Sequence, residues 1–381
     1  MSASDSSPGG TSTRLVALEA ARGSAALVVL IHHFELAFAT TLKIALQSTP
    51  VGWLQNGAGA VIFFFVLSGY VLTFRSFVQR NGSRLGMDAA KRWPRLWLAP
   101  AVSVIAGALV LITGVNANEA AAALSGSQWL QAFGNAHLPA GFHPDLGDAL
   151  VQSVTLWVGA NAGYNSSLWT MQWELLGSFV VFALAALLIG RPLRWAMPIV
   201  LVLAAALSVL VSYVVPFIFG CALAYLHARR TRRPTRAMGV ALLLIGLLLL
   251  CCEDPDRMYL VLAALPEKDQ VLAGIYLQSM GAFALIAALR SDLEPLVDGH
   301  VARWLGRLSF PIYLVQVIAI CTLGSDVFVW TATMPTVVHY GATAVVTLAM
   351  TMLLAIPFAY LDEWWRRLVG RVTRRSAVAA S

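Results

Sequence analysis

Apolar residues run along this chain in long blocks separated by short polar or basic stretches. A helix needs about 20 consecutive apolar residues to cross the roughly 30 Å hydrocarbon layer of a bilayer, and these blocks approach or reach that length. They predict ten helices, near 15–41, 57–76, 93–114, 167–190, 195–211, 213–228, 237–252, 270–289, 308–324 and 335–361. Those at 195–211 and 237–252 are short for a full crossing. Residues 149–158 are too short to cross and read as a re-entrant or interfacial segment. No internal repeat is visible, which weighs against an inverted-repeat transporter. The expected fold is all-α, a polytopic integral-membrane bundle of about ten transmembrane helices. Its parts are a disordered tail at 1–13, a transmembrane domain at 14–365 with an outer loop at 115–166, and a basic tail at 366–381.

Composition agrees with this pattern. Of the 381 residues 59% are hydrophobic and 12% charged, against about 25% charged in a soluble domain. Charge also sets an orientation, because basic residues concentrate on the cytoplasmic side. With a cytoplasmic N-terminus, only Lys43, Arg257 and Lys268 of the 26 Lys and Arg fall outside, so both termini are expected in the cytoplasm. The net charge of +7 then reflects topology, and no nucleic-acid motif accompanies it. Cys221, Cys251, Cys252 and Cys321 lie in or beside apolar runs without disulfide or zinc spacing. His137 and His143 in the outer loop are too few ligands for zinc, so no metal is expected. The N-terminus lacks the charged start of a signal peptide.

The first helix carries ionisable residues that a bilayer disfavours. RGSAALVVLIHH, residues 22–33, places Arg22 near its inner end and His33 deeper. Eleven residues at about 100° each return to nearly the same face, roughly 16 Å along the axis. His32 points about 80° away from Arg22. Glu19, three residues before Arg22, lies near the same face and could pair with it. An ionisable residue inside a span faces the bundle interior and marks a functional path. The simpler alternative is an arginine reaching back to the headgroups and a histidine hydrogen-bonded within the bundle.

Further segments carry chemistry in the same order as the helices. FFVLSG spans residues 64–69, and a basic cluster, Lys91, Arg92 and Arg95, precedes the third helix. Leu168, Trp169 and Glu174 open the fourth, and Leu305, Gly306, Ser309, Tyr313 and Leu314 open the ninth. With Arg22 and His33 these resemble the membrane acyltransferase 3 family, from about residue 14 to 361. The resemblance implies an O-acyltransferase acting on extracytoplasmic sugars such as O-antigen, exopolysaccharide or Nod factor, or on macrolides, in a bacterial inner membrane. Three departures stand out. Ile62 replaces a frequent Asp, Leu175 replaces a second carboxylate beside Glu174, and Gln316 stands where a His is usual.

Acyl transfer from a thioester to a hydroxyl needs a base for the hydroxyl proton, and His33 is the candidate. Glu174, read as lying at the outer end of the fourth span, is the candidate to orient it. Arg92 and Arg95, three apart at the inner mouth, suit the phosphates of acyl-CoA, acetyl-CoA in particular, with Arg22 as a further contact. Without the resemblance, their simpler role is topological anchoring. Trp169, Tyr313 and Gln316 are the candidate acceptor contacts. The outer loop adds Trp129, His137, Phe142, His143, Asp145, Asp148, Trp157 and Tyr164 and no Lys or Arg, which fits a sugar or polyketide face or equally an interface belt. The expected partners are acyl-CoA as co-substrate, a glycan or other hydroxyl acceptor and the bilayer, with no bound cofactor. The other reading is a proton-coupled transporter or flippase in which His33 and Glu174 form a proton relay.

Overall fold

The computed structural model describes residues 13–46, 49, 52–135, 138, 141–159, 162–230, 232–250, 265–293 and 299–379. His137, Cys251, Cys252 and residues 1–12 of the tail lie outside them. Among the described residues the protein is helical throughout, without a strand.

The first half comprises α1 (Thr13–Phe38), α2 (Thr40–Leu46), α3 (Gly57–Gln79), α4 (Leu85–Ala90), α5 (Arg92–Thr113), α6 (Asn118–Ser125), α7 (Gln128–Gln131) and α8 (Leu146–Thr155). The second comprises α9 (Met171–Leu188), α10 (Leu193–Leu210), α11 (Val215–Arg229), α12 (Arg236–Leu250), α13 (Glu267–Leu289), α14 (His300–Ala319), α15 (Ser325–Trp330) and α16 (Thr336–Ala379). Ten of these occupy the positions expected of spans, and eight helical segments among the described residues are long and apolar enough to cross a membrane. The 15-residue α11 and α12 are about 22 Å long and fall short of a bilayer's core. Lipid-facing character is plain on α10 and α16, where Leu201, Val202, Val345 and Leu353 are exposed.

Small residues set the closest helix crossings. A Cβ on Gly69 of α3 would lie 2.1 Å from the Phe217 carbonyl oxygen, and one on Gly220 of α11 would lie 1.9 Å from that of Val66. In a bilayer, such backbone proximity is a main source of helix association. The same device joins α1 to α14. Gly23 faces the Leu305 backbone, and a Cβ on Gly306 would lie 2.5 Å from that of Glu19. That crossing brings Arg22 to the side of Ser309.

Three features of the layout matter, the first a short segment of the kind expected at 149–158. First, α8 packs on α5, with Trp97 Nε1 donating to the Ser153 carbonyl at 3.1 Å, while the Tyr164 backbone abuts Gly107 two to three turns further along α5. The segment therefore dips along a spanning helix and returns. Second, α4 leads into α5 through Lys91, itself in right-handed helical conformation, so the helical run starts at Leu85. Third, α16 continues through Ala379 without a break from the last span into the basic segment. Cys221 and Cys321 are free and buried.

Candidate active site

Arg22, Ser68, Arg92, Glu174, Ser309 and Tyr313 line a single cavity of about 280 Å3 between α1, α3, α5, α9, α14 and α16. Arg92 and Glu174 form an ion pair, each side chain less than one-fifth exposed. Ser68 Oγ donates to Glu174 Oε1 at 2.8 Å. Arg92 Nε donates to Ser178 Oγ at 2.8 Å, and that hydroxyl donates to the Glu174 carbonyl at 2.5 Å. Ser178, one turn after Glu174, thus fixes the arginine against the helix that carries its counterion.

Arg22 Nε donates to Ser309 Oγ at 3.1 Å. Glu19 lines the same cavity, yet the expected Arg22–Glu19 pair does not form. Asp362 and Arg366 complete the ring and pair with each other at 2.8 Å. Among the described residues Arg22 and Arg95 have no carboxylate partner. The cavity therefore offers two free guanidinium groups, donors suited to an anionic ligand.

This geometry corrects the depth assigned to Glu174 and Arg92. The expectation put Glu174 at the outer end of its span beside His33, and Arg92 at the inner mouth. The two are in direct contact. Gly82 and Leu85 sit near Ile189 at the far end of α9. Arg92 lies seven residues beyond Leu85, about 10 Å further along the helix. Glu174 lies about 21 Å back along α9 from Leu188. The two side chains span the difference. Glu174 consequently makes no direct hydrogen bond with His33.

His33 lies elsewhere, roughly three turns from Arg22 on the same face of α1. Its ring stacks on Trp129 of α7, centroids 5.2 Å apart and planes 13° apart. His32 meets it edge-on at 5.5 Å. The Gln316 side chain lies within hydrogen-bonding reach of the ring. His33 is half-buried, but its Nδ1 is covered and without a partner, as is Gln316 Oε1 beside it. Buried polar atoms are paired in the great majority of cases, so two orphans at one imidazole call for an explanation. His32, by contrast, has its Nδ1 bonded to the Gln55 carbonyl at 2.8 Å and packs on Gly57, a structural role.

Tyr313 connects the two regions. It lines the cavity and donates to the Ser167 carbonyl at 2.5 Å, with Thr170 Oγ1 at 2.9 Å. Phe64 packs edge-on to it at 6.3 Å. Phe64, Thr170 and Tyr313 are part of the cavity lining. Gln316, three residues on, carries α14 from Tyr313 to the imidazole, its Nε2 donating to the Tyr313 carbonyl at 3.4 Å. Trp169 does not join either region. Its ring packs on Tyr213 at 5.1 Å, because the 3-10 turn Ser166–Thr170 directs it away from the cavity.

Ser68, Ser178, Asp362, Arg366 and Trp129 complete the arrangement. Ser68 reads from sequence as a packing residue, and nothing local in the sequence pairs it with Glu174. Asp362 carries a weak signal, a carboxylate directly after the last apolar run. Among the described residues no cluster of three or more His, Cys, Asp or Glu could hold a metal.

A helical bundle with eight segments long and apolar enough to cross a membrane, enclosing a charged cavity, has the build of an integral-membrane protein. The family model described as an acyltransferase domain matches residues 15–356. The chain belongs to the acyltransferase 3 family and is a multi-pass membrane acyltransferase. No curated protein and no solved structure matches it.

Proposed function

We propose that the protein is an O-acyltransferase that takes an acyl group, acetyl in particular, from cytoplasmic acyl-CoA to a hydroxyl of an extracytoplasmic glycan or lipid-linked sugar. Both termini then face the cytoplasm of a bacterial inner membrane. The observation that carries this reading is the pairing of two sites on one helix. The free guanidinium groups of Arg22 and Arg95 stand at one level, and the orphaned Nδ1 of His33 stands about three turns away.

In this reading Arg22, Arg92 and Arg95 hold the anionic part of the donor. The thioester arm passes Phe64 and Tyr313 toward His33. The acceptor hydroxyl gives its proton to a free imidazole nitrogen as its oxygen bonds to the thioester carbonyl carbon. The tetrahedral adduct collapses, the carbon–sulfur bond breaks, and the imidazolium returns the proton to the leaving thiolate. The products are the ester and CoA thiol, and the histidine is regenerated. Gln316 Oε1 would accept a hydrogen bond from the acceptor hydroxyl, which would satisfy that orphaned atom. Trp129 fixes the ring plane and, stacked on it, favours the imidazolium formed in the first step.

The test uses purified protein in nanodiscs with radiolabelled acetyl-CoA. Specific binding, together with label transferred to envelope glycan by the wild type and not by His33→Ala, supports the reading. Label transfer that survives His33→Ala removes the histidine base. Absence of acetyl-CoA binding removes the donor.

A further inference from the structure

A second recess opens beside the cavity. It measures about 210 Å3 and shares Val71, Leu72, Arg92 and Arg95 with the cavity, so the two adjoin. Its own lining comes from the end of α3, the turn after it and the start of α4, with Arg75, Asn81, Ser83, Arg84 and Asp88. Four arginines thus face one recess against a single carboxylate. We propose that this recess binds the phosphorylated nucleoside end of the acyl-CoA donor, with Arg75 and Arg84 contacting its 3′-phosphate, an inference that rests on the donor reading above.

The chemistry of the donor divides as the two spaces do. One end is a nucleoside with three phosphates, costly to strip of water; the other is a thin, uncharged arm ending in the thioester. The cavity lies between the spanning helices beside Arg22 and Glu174, and the recess lies at the basic end of α3 and α5. Among the described residues Arg75, Arg84 and Arg95 form no ion pair, so their charges are available. A guanidinium fork matches a phosphate by two parallel hydrogen bonds. The polar residues fit the nucleoside. Asn81 Oδ1 accepts from the Ser83 backbone at 2.8 Å, which leaves the Asn81 amide N–H groups and the Ser83 hydroxyl for a ribose or base.

The wall is also preformed. Arg80 adopts a left-handed conformation with φ 49°, and its backbone N–H bonds the Phe77 carbonyl. Asn81 N bonds the Ser76 carbonyl at 3.1 Å, and Leu85 N bonds that of Gly82 at 3.0 Å. The turn between α3 and α4 is closed at both ends, so a ligand binds there without ordering a loose loop. Topological anchoring requires basic residues on this side of the membrane, but it does not require them to converge on one concavity beside a charged cavity.

The experiment measures direct binding of three ligands to the full-length protein in nanodiscs: acetyl-CoA, 3′-dephospho-acetyl-CoA and S-acetyl-pantetheine. For the wild type, affinity should fall in that order. In Arg75→Ala/Arg84→Ala, acetyl-CoA should bind about ten- to a hundredfold more weakly, close to the dephospho compound, while S-acetyl-pantetheine binds as before. Arg75→Lys/Arg84→Lys should keep part of the affinity and serves if the alanine variant fails to fold. Equal weakening for all three ligands, or none for acetyl-CoA, overturns the subsite. The series is repeated in neutral and anionic lipid. A loss seen only with anionic lipid assigns these arginines to the membrane surface and also overturns the proposal. A wild type that binds no acetyl-CoA overturns the donor reading and the subsite with it, whereas wild-type binding with an unaffected variant overturns the subsite alone.

Discussion

Replacing Glu174 by Gln separates the two tasks that the Arg92–Glu174 pair can perform. The amide keeps the shape and an acceptor oxygen for Ser68 and Arg92, but removes the negative charge. A hydrogen bond to a charged group contributes about 1.5–3 kcal/mol and a neutral one about 0.5–1.5 kcal/mol, so the variant should lose about 1–2 kcal/mol of stability. Arg92→Met removes the partner altogether and leaves a carboxylate with Ser68 as its remaining donor. Breaking a buried pair in this way costs about 3–5 kcal/mol. The double variant should be less destabilised than the sum, with a coupling of about 1–3 kcal/mol. Donor binding should move in the opposite sense. Glu174→Gln leaves Arg92 without its counterion, so acetyl-CoA affinity should hold or rise, by up to about tenfold. Arg92→Met should lower it about ten- to 150-fold. Turnover should fall in both. The measurements are thermal unfolding of the four proteins and acetyl-CoA binding to each. If Glu174→Gln weakens binding as much as Arg92→Met does, the carboxylate is not a counterion competing with the ligand, and the cavity has been misread.

Three further outcomes are expected. His33→Ala should abolish transfer, while His32→Ala should keep most of it and lose about 1 kcal/mol of stability with the bond to the Gln55 carbonyl; the reverse pattern at equal protein level would exchange their roles. Gly220→Ala should lower the unfolding temperature and spoil monodispersity in detergent, because the new methyl meets the Val66 carbonyl and overpacking costs about 1–3 kcal/mol or more; an unchanged profile would mean α3 and α11 are not packed so closely. Arg80→Gly should stabilise by about 1 kcal/mol, since glycine takes a left-handed conformation without steric cost; a lower unfolding temperature would contradict that conformation.

The positions of the helices were legible because a bilayer demands apolar length, and that demand is written locally. Arg22 and His33 sharing a face was legible for the same reason, since helical periodicity is local. Depth was not. The apolar block at 93–114 invites the assumption that α5 enters the membrane there. The helical run in fact begins at Leu85 and has 29 residues, about 44 Å, well beyond a bilayer's core. A run with that much surplus does not state which of its residues lies at the interface, so Arg92 reads as surface and is interior. Glu174 was misplaced by the complementary error, as its partners Ser68 and Arg92 are about 80 to 105 residues away along the chain. The dip of α8 was half legible. Its length excluded a crossing, but its packing on α5 depends on Gly107 and Trp97, which no local pattern links to it.

The distance between Arg22 and His33 also acts as a ruler. A donor held by its anionic end at the arginines meets the imidazole only if it can bridge roughly 16 Å. Acetyl phosphate, whose carbonyl is joined directly to its phosphate, would satisfy one station and never the other. A thioester on a long arm reaches both at once. Selection among activated acyl compounds would thus rest on reach rather than on reactivity, and the short, abundant ones would be refused without any group built to reject them.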